Sequence, residues 1–185
     1  VGAILALIFC LGVGFLNGYL TMRTGIPSFL ITLGTFFILQ GANLGVTKLV
    51  TGSVSSPNIN QMDGYGALNW IFAHEWQIGS VTLSITVIWW FLFVALSAYV
   101  LQRTKVGNWI YAVGGNAASA RAVGVPVTRV KIGLFMTVGF LGWFTGMHYL
   151  YNFNVLQAGN GVGQEFLYII AAVVGGCLLT GGYGS

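Results

Sequence analysis

Three groups of polar residues in this chain have the chemistry to handle a ligand or a partner. Asn17 stands alone in an apolar run. Thr32, Thr35, Gln40 and Asn43 recur at near-helical spacing in the next run. Hydroxyls and carboxamides both donate and accept hydrogen bonds, so they can bind the polar groups of a ligand. The same groups serve as hydrogen bonds between membrane helices, so both roles stay open. The third group lies in Gly107–Pro126. Gly114, Gly115 and Asn116 precede an alanine-rich stretch, Ala117–Val123, closed by Gly124 and Pro126. Asn116 is a good N-cap, alanine favours helix, Gly124 suits the position after a helix and Pro126 stops it. A helix of two turns is marginal alone. It either caps a bundle or docks on the membrane surface or a partner. Gly114-Gly115-Asn116 lacks the spacing and the G-K-[ST] ending of a phosphate loop.

Residues suited to catalysis are missing. Cys10 and Cys177 both fall in apolar runs with no metal-ligand spacing. No histidine pair has the spacing to hold a haem. No clustered polar active site is visible, so the chain reads as no enzyme. Ionisable groups inside apolar runs, the usual proton relays of secondary carriers, are also scarce.

Composition says what must position these residues. Of 185 residues, 56% are hydrophobic and 5% charged; an ordinary soluble domain has about 25% charged. Mean hydropathy is +0.84. Such a chain cannot keep a surface wet but can face lipid. The net charge of +4 does not indicate nucleic-acid binding, because the bases cluster in one stretch between apolar runs. Arg103, Lys105, Arg121, Arg129 and Lys131 are five of the seven.

About 20 apolar residues cross a bilayer. Spans are expected at 1–22, 28–46, 81–101, 130–151 and 165–179. The fold class is all-α: a polytopic transmembrane helical bundle with about five spans. The chain begins at Val1 and ends in turn-like sequence, so it reads as truncated at both ends. The polar stretch 48–79, with Trp70 and Trp76, reads as an excursion at the interface containing a short helix near 67–72. Basic loops stay in the cytoplasm. The 103–129 loop is therefore expected inside with Arg23, and 48–79 and 152–164 outside. Gly14–Gly18, Gly41–Gly45 and Gly142–Gly146 are small-xxx-small faces suited to close helix packing. Gly175-Gly176 and Gly181-Gly182 bracket the end of the last segment and suggest a break there, as a gate or as flexible packing.

Three blocks carry a family resemblance. Gly25-Ile-Pro-Ser-Phe-Leu-Ile-Thr-Leu-Gly-Thr35 is similar to G-[IV]-P-[SA]-F-[IV]-x-T-L-G-T. Ile110-Tyr-Ala-Val-Gly-Gly-Asn116, with Ala120-Arg121 and Gly124-Val125, is similar to a Y-A-I-G-G-N loop followed by A-A-R-x-S-G-I. Residues 165–182 are similar to E-L-x-x-I-A-A-V-V-x-G-G-x-S-L-x-G-G. The chain resembles the permease subunits of sugar ABC importers of the ribose and xylose type, whose wider family includes branched-chain amino-acid permeases. The resemblance implies a multi-pass protein of the bacterial inner (plasma) membrane that passes a simple sugar, a pentose first. The implied partners are cytoplasmic ABC ATPase subunits, a second permease subunit as homodimer or heterodimer, and an extracytoplasmic sugar-binding protein. ATP and Mg would sit on the ATPase, with no cofactor on this chain. The helix 116–123 matches the coupling helix, giving Gly114, Gly115, Asn116, Ala120, Arg121 and Gly124 as ATPase-coupling residues. The alternatives are a secondary transporter or channel for a small polar solute, or an ABC permease for branched-chain amino acids or nucleosides.

Overall fold

The computed structural model describes residues 1–60, 64–78 and 81–177. Along the chain come α1 (Gly2–Thr24), α2 (Ser28–Thr51), α3 (Tyr65–Phe72), β1 (Glu75–Ile78), β2 (Val81–Ser84), α4 (Ile85–Arg103), α5 (Lys105–Gly115), α6 (Ala117–Ala122), α7 (Val127–Phe153) and α8 (Gln164–Val174). Among the described residues, α1, α2, α4 and α7 are long and apolar enough to cross a membrane. The architecture is a polytopic helical bundle.

Helix ends follow local backbone chemistry. α1 stops where Gly25 adopts φ 68° and its N–H donates to the Thr21 carbonyl. A left-handed residue at that place costs glycine little. Proline then turns the chain into α2. That helix runs past the expected end at 46, because nothing arrests it before Gly52, also at φ 68°. Lys48 thus sits in a helical last turn, where a cation complements the dipole. The excursion expected from residue 48 begins only after Gly52.

Three further expectations need correction. The span expected over 81–101 starts as a strand. β2 pairs antiparallel with β1, with Trp76 opposite Leu83 and Glu75 opposite Ser84. Val81-Thr-Leu-Ser84 alternates with period two, a signal that a hydropathy window averages away. Ser84 then caps α4, its Oγ accepting from the Thr86 N–H at 3.3 Å. The loop expected over 103–129 holds an 11-residue helix, α5, before the short one. Thr104 makes the corner: its hydroxyl donates to the Val100 carbonyl at 2.6 Å and accepts from Gly107 N–H at 3.3 Å. Only glycine fits at 107, since a Cβ there would lie 2.1 Å from the Leu101 carbonyl oxygen. The span expected over 165–179 ends at Val174, after 11 residues. At 1.5 Å per residue it rises about 16 Å, roughly half a hydrocarbon core of about 30 Å.

The bundle is organised about an antiparallel pair, α1 and α7. A Cβ on Gly14 would lie 2.6 Å from the Phe135 oxygen, one on Gly18 2.9 Å from Ile132 Cα, and one on Gly139 2.5 Å from the Cys10 oxygen. Backbones this close maximise van der Waals contact where lipid provides no hydrophobic drive. Gly14 and Gly18 are thus a packing face, as expected. Gly41, Gly45, Gly142 and Gly146 face open space in the described chain, and Gly139 takes the role expected of Gly142.

Each end of the pair carries a small core. At one end, Val113, Ala120, Val127 and Val130 pack with Met22, Ile110, Ala117 and Val125. At the other, Ile59, Phe72, Met147 and Tyr151 pack with residues including Ala3, Tyr65 and Trp143. Phe72 lies edge-on to Trp143 and stacks on Tyr151. The two polar excursions meet at this second end. Ser56 and Leu156 exchange bonds of 2.7 and 3.0 Å, and the Tyr65 hydroxyl bonds Asn154 Oδ1 at 2.6 Å. The expected short helix is there as α3. Trp89 donates to the Ile71 carbonyl at 2.9 Å and is half-buried, while its neighbour Trp90 is exposed.

Candidate functional site

Charge is divided between the two ends. Arg23 closes α1, Arg103 closes α4, Lys105 opens α5, Arg121 lies on α6, and Arg129 and Lys131 open α7. All six belong to the end built around Ala120. Lys48, Glu75 and Glu165 belong to the other.

At the basic end stands α6, six residues capped at both ends and buried along one side through Ala120. Asn116 Oδ1 accepts from the N–H groups of Ala118 and Ser119, both at 3.0 Å. The C-terminal cap is also complete. Val125 N–H donates to the Ala120 carbonyl at 3.0 Å, and Gly124 N–H to the Arg121 carbonyl at 3.1 Å. Gly124 makes this possible at φ 87°. This is the paired 6→1 and 5→2 bonding that ends helices, with its usual apolar contact supplied by Val125 against Ala120. The sequence signals for this helix were local, and the structure forms what they specify.

The coupling candidates separate into two faces. Ala120 is 3% exposed and fastens α6 to α5, α7 and the end of α1. Gly114, Gly115, Asn116, Arg121 and Gly124 are exposed. So is Val123, at 79%, a residue that sequence reasoning did not select. Its only sequence signal is its place beside the terminating glycine. The described acids, Glu75 and Glu165, lie at the other end, so among the described residues Arg121 has no acidic partner.

The substrate-path candidates fall in three places. Asn17 lies on α1 between Gly14 and Gly18, and its Oδ1 is buried with no hydrogen-bond partner among the described residues. Thr32 donates to the carbonyls of Ser28 and Phe29 at 3.0 and 3.1 Å, and Thr35 to those of Ile31 and Thr32 at 3.1 and 3.0 Å. Their protons are spent on their own helix, a third option beside sugar and interhelical contact. Gln40 and Asn43 are brought together in a cavity of about 730 Å³ between α1, α2 and the turn at 158–162. Asn43 Nδ2 donates to the Ala158 carbonyl at 3.0 Å there. Asn160 lines the same cavity. It belongs to a turn that the sequence marks only as polar, so nothing local pointed to it.

Of the helix-break candidates, Gly175 and Gly176 end α8. Gly176 takes φ 95° and donates to Val173 at 3.0 Å, and Cys177 N–H donates to Ala172 at 3.1 Å. Gly181 and Gly182 lie outside the described residues. Among the described residues no group of three His, Cys, Asp or Glu could hold a metal ion.

A histidine ties the polar end together. His148 on α7 bonds the Phe72 carbonyl through Nδ1, and its Nε2 lies 2.9 Å from both Thr86 Oγ1 and Asn152 Nδ2. A carbonyl only accepts, so Nδ1 carries the proton and Nε2 accepts. One ring thereby joins α3, α4 and α7.

Comparison with known proteins places this geometry. The family model described as "Branched-chain amino acid transport system / permease component" matches residues 1–185. The fructose import permease of Rhizobium meliloti is 30% identical over 93% of this chain and 46% of its own length. The ribose import permease of Escherichia coli K12 is 30% identical over 93% of this chain and 51% of its own length. An inner membrane ABC transporter permease of the same organism is 30% identical over 93% of this chain and 49% of its own length. The chain spans about half the length of the curated relatives it matches. No solved structure matches it significantly.

Proposed function

The chain belongs to the permease-component family of the branched-chain amino acid transport systems, and from that premise we propose that it forms part of the permease subunit of an ATP-driven importer for a simple sugar in a bacterial inner membrane. Relatives named for ribose and fructose import support the substrate class, with a pentose favoured. A relative named as an inner membrane permease supports the location. The concentration of Lys and Arg at the basic end supports a cytoplasmic location for that end.

The observation that carries the reading is α6. It is anchored to the bundle through Ala120, while Arg121 and Val123 face outward. Such a helix is a fixed projection with an unoccupied side. A cytoplasmic ATPase would bind ATP and Mg and hold α6 in a groove, with an acidic residue opposite Arg121. A push on α6 passes to α7 through Val127 and Val130. It reaches α1 through Met22 and through the glycine seam. α1 and α7 then carry it to the far end, where Trp143 donates to the Ala3 carbonyl at 2.9 Å. Close-packed backbones transmit such a displacement because they cannot compress. A second permease subunit would complete the path, and an extracytoplasmic sugar-binding protein would deliver the substrate to the end bearing Glu75.

The test is uptake of labelled ribose and fructose by the full-length permease with its ATPase and binding protein in proteoliposomes. Uptake that requires ATP hydrolysis, and is lost when Arg121→Glu reverses the charge on α6, is the expected result. Uptake that continues without ATP would identify a secondary carrier instead.

A further inference from the structure

The cavity of about 730 Å³ at the polar end is open, partly apolar and edged by carboxamides. Small-molecule sites typically occupy about 300–1,000 Å³ and combine apolar walls with a few placed polar groups. Gln40 and Asn160 contribute side-chain amides that make no hydrogen bond among the described residues. Asn43 spends one Nδ2 proton on the Ala158 carbonyl at 3.0 Å and accepts only a long 3.4 Å contact from Thr47. Each free carboxamide offers two donors and a carbonyl acceptor, which a vicinal pair of hydroxyls can satisfy at once. Phe9 from α1 and Phe36 from α2 supply flat apolar walls, against which the C–H face of a sugar ring can lie.

The lining also says what the ligand is not. Among the described residues no Asp, Glu, Lys, Arg or His lines it. A zwitterionic amino acid would find no counter-charge among the described lining residues, and desolvating its ions there would go uncompensated. A neutral polyhydroxylated solute meets no such cost.

We infer that this cavity is a receiving site for a neutral monosaccharide at the outer mouth of the permease, with Gln40, Asn43 and Asn160 binding its hydroxyls and Phe9 and Phe36 packing on its ring. The inference rests on the importer reading above and goes beyond it by locating the site and excluding charged substrates from it. The α1 seam links the site to the cytoplasmic projection, since Phe9 lies one residue from Cys10, whose carbonyl meets Gly139.

The experiment uses the full-length permease assembled with its ATPase and binding protein in proteoliposomes, in a cysteine-free background, with ribose, fructose and leucine as probes. Two quantities are read together: solute moved per ATP hydrolysed, and the ATPase rate that the binding protein stimulates. Gln40→Leu and Asn160→Leu each remove hydrogen bonds and keep side-chain bulk. Each is expected to lower sugar moved per ATP by about tenfold, the scale of one or two lost hydrogen bonds, with ATPase stimulation kept within about twofold. Asn160→Cys guards against misfolding. Modifying it after assembly with a charged, membrane-impermeant thiol reagent should block sugar movement, and reduction should restore it. Unchanged sugar per ATP in the Leu variants, or full transport by the modified cysteine variant, would overturn the site while the importer reading stands. Leucine carried as well as sugar would overturn the neutral-ligand assignment. If the unsubstituted complex moves no sugar at the expense of ATP, the importer reading fails and the site fails with it.

Discussion

Asn116 does two jobs with one atom. Its Oδ1 accepts from two N–H groups that begin α6, and a six-residue helix has few other bonds to lose. Replacing such a cap by alanine costs about 1 kcal/mol, which for so short a helix is enough to let its first turn open. Asn116→Ala should therefore lower transport and binding-protein-stimulated ATP hydrolysis several-fold, with the amount of permease in the membrane unchanged. Asn116→Asp, which keeps the acceptor, should retain most of both. Asn17 presents the opposite case. Its Oδ1 is buried and unpaired among the described residues, and an orphaned buried polar group costs about 1–3 kcal/mol. Asn17→Leu should leave the thermal midpoint of the purified full-length permease unchanged or raise it. A drop of several degrees would mean that a partner outside the described residues satisfies the oxygen. Both residues could be picked from sequence, but for different reasons. Asn116 was legible because caps are written in adjacent residues. Asn17 was visible only as a polar residue in an apolar run, and its orphaned oxygen depends on what α7 places against it.

The elements show where reading along one chain stops. α6 and the stops at Gly25 and Gly124 follow from glycine and proline chemistry within a few residues. The spans were legible from apolar length, though α2 and α7 extend beyond the hydrophobic windows because helical bonding continues until a left-handed glycine or asparagine ends it. The β1–β2 ribbon and α5 were not legible. A four-residue alternation is hidden beside a long apolar run, and α5 depends on the tight corner at Thr104 and Gly107. Glycine pairs were legible as packing candidates, but which one packs is a tertiary matter. Gly14 meets the Phe135 backbone while Gly142 faces open space. Gly14→Ala must therefore push α1 and α7 apart, since its Cβ would start 2.6 Å from a backbone oxygen that cannot swing away. A loss of about 1–3 kcal/mol, the usual cost of overpacking, should appear as a lower thermal midpoint. Gly12→Ala, with nothing within 4 Å, should cost far less, and equal losses at the two positions would disprove the seam.

On the scale of the whole molecule, the division of charge fixes more than any single contact. Six bases gather at the α6 end, while Glu75 and Glu165 belong to the end where the two excursions meet. The Lys and Arg content of short loops biases orientation toward keeping them in the cytoplasm, so the inverted arrangement with six such residues outside is opposed. The helix order is consistent with this. α1 and α4 end, and α7 begins, at the basic end, as alternating crossings demand. α6 lies at the basic end, whereas the cavity runs from the middle of α2 to the turn at 158–162, a separation that suits an importer in which force enters at one end and solute at the other. In intact cells, a membrane-impermeant maleimide should label Ser55→Cys, beside the excursion contact with Gln157, and leave Ser119→Cys on α6 untouched until the membrane is permeabilised. Labelling of Ser119→Cys from outside would reverse the bundle. It would also remove α6 from reach of any cytoplasmic ATPase, because a helix of this length anchored by Ala120 cannot extend across the membrane to meet one.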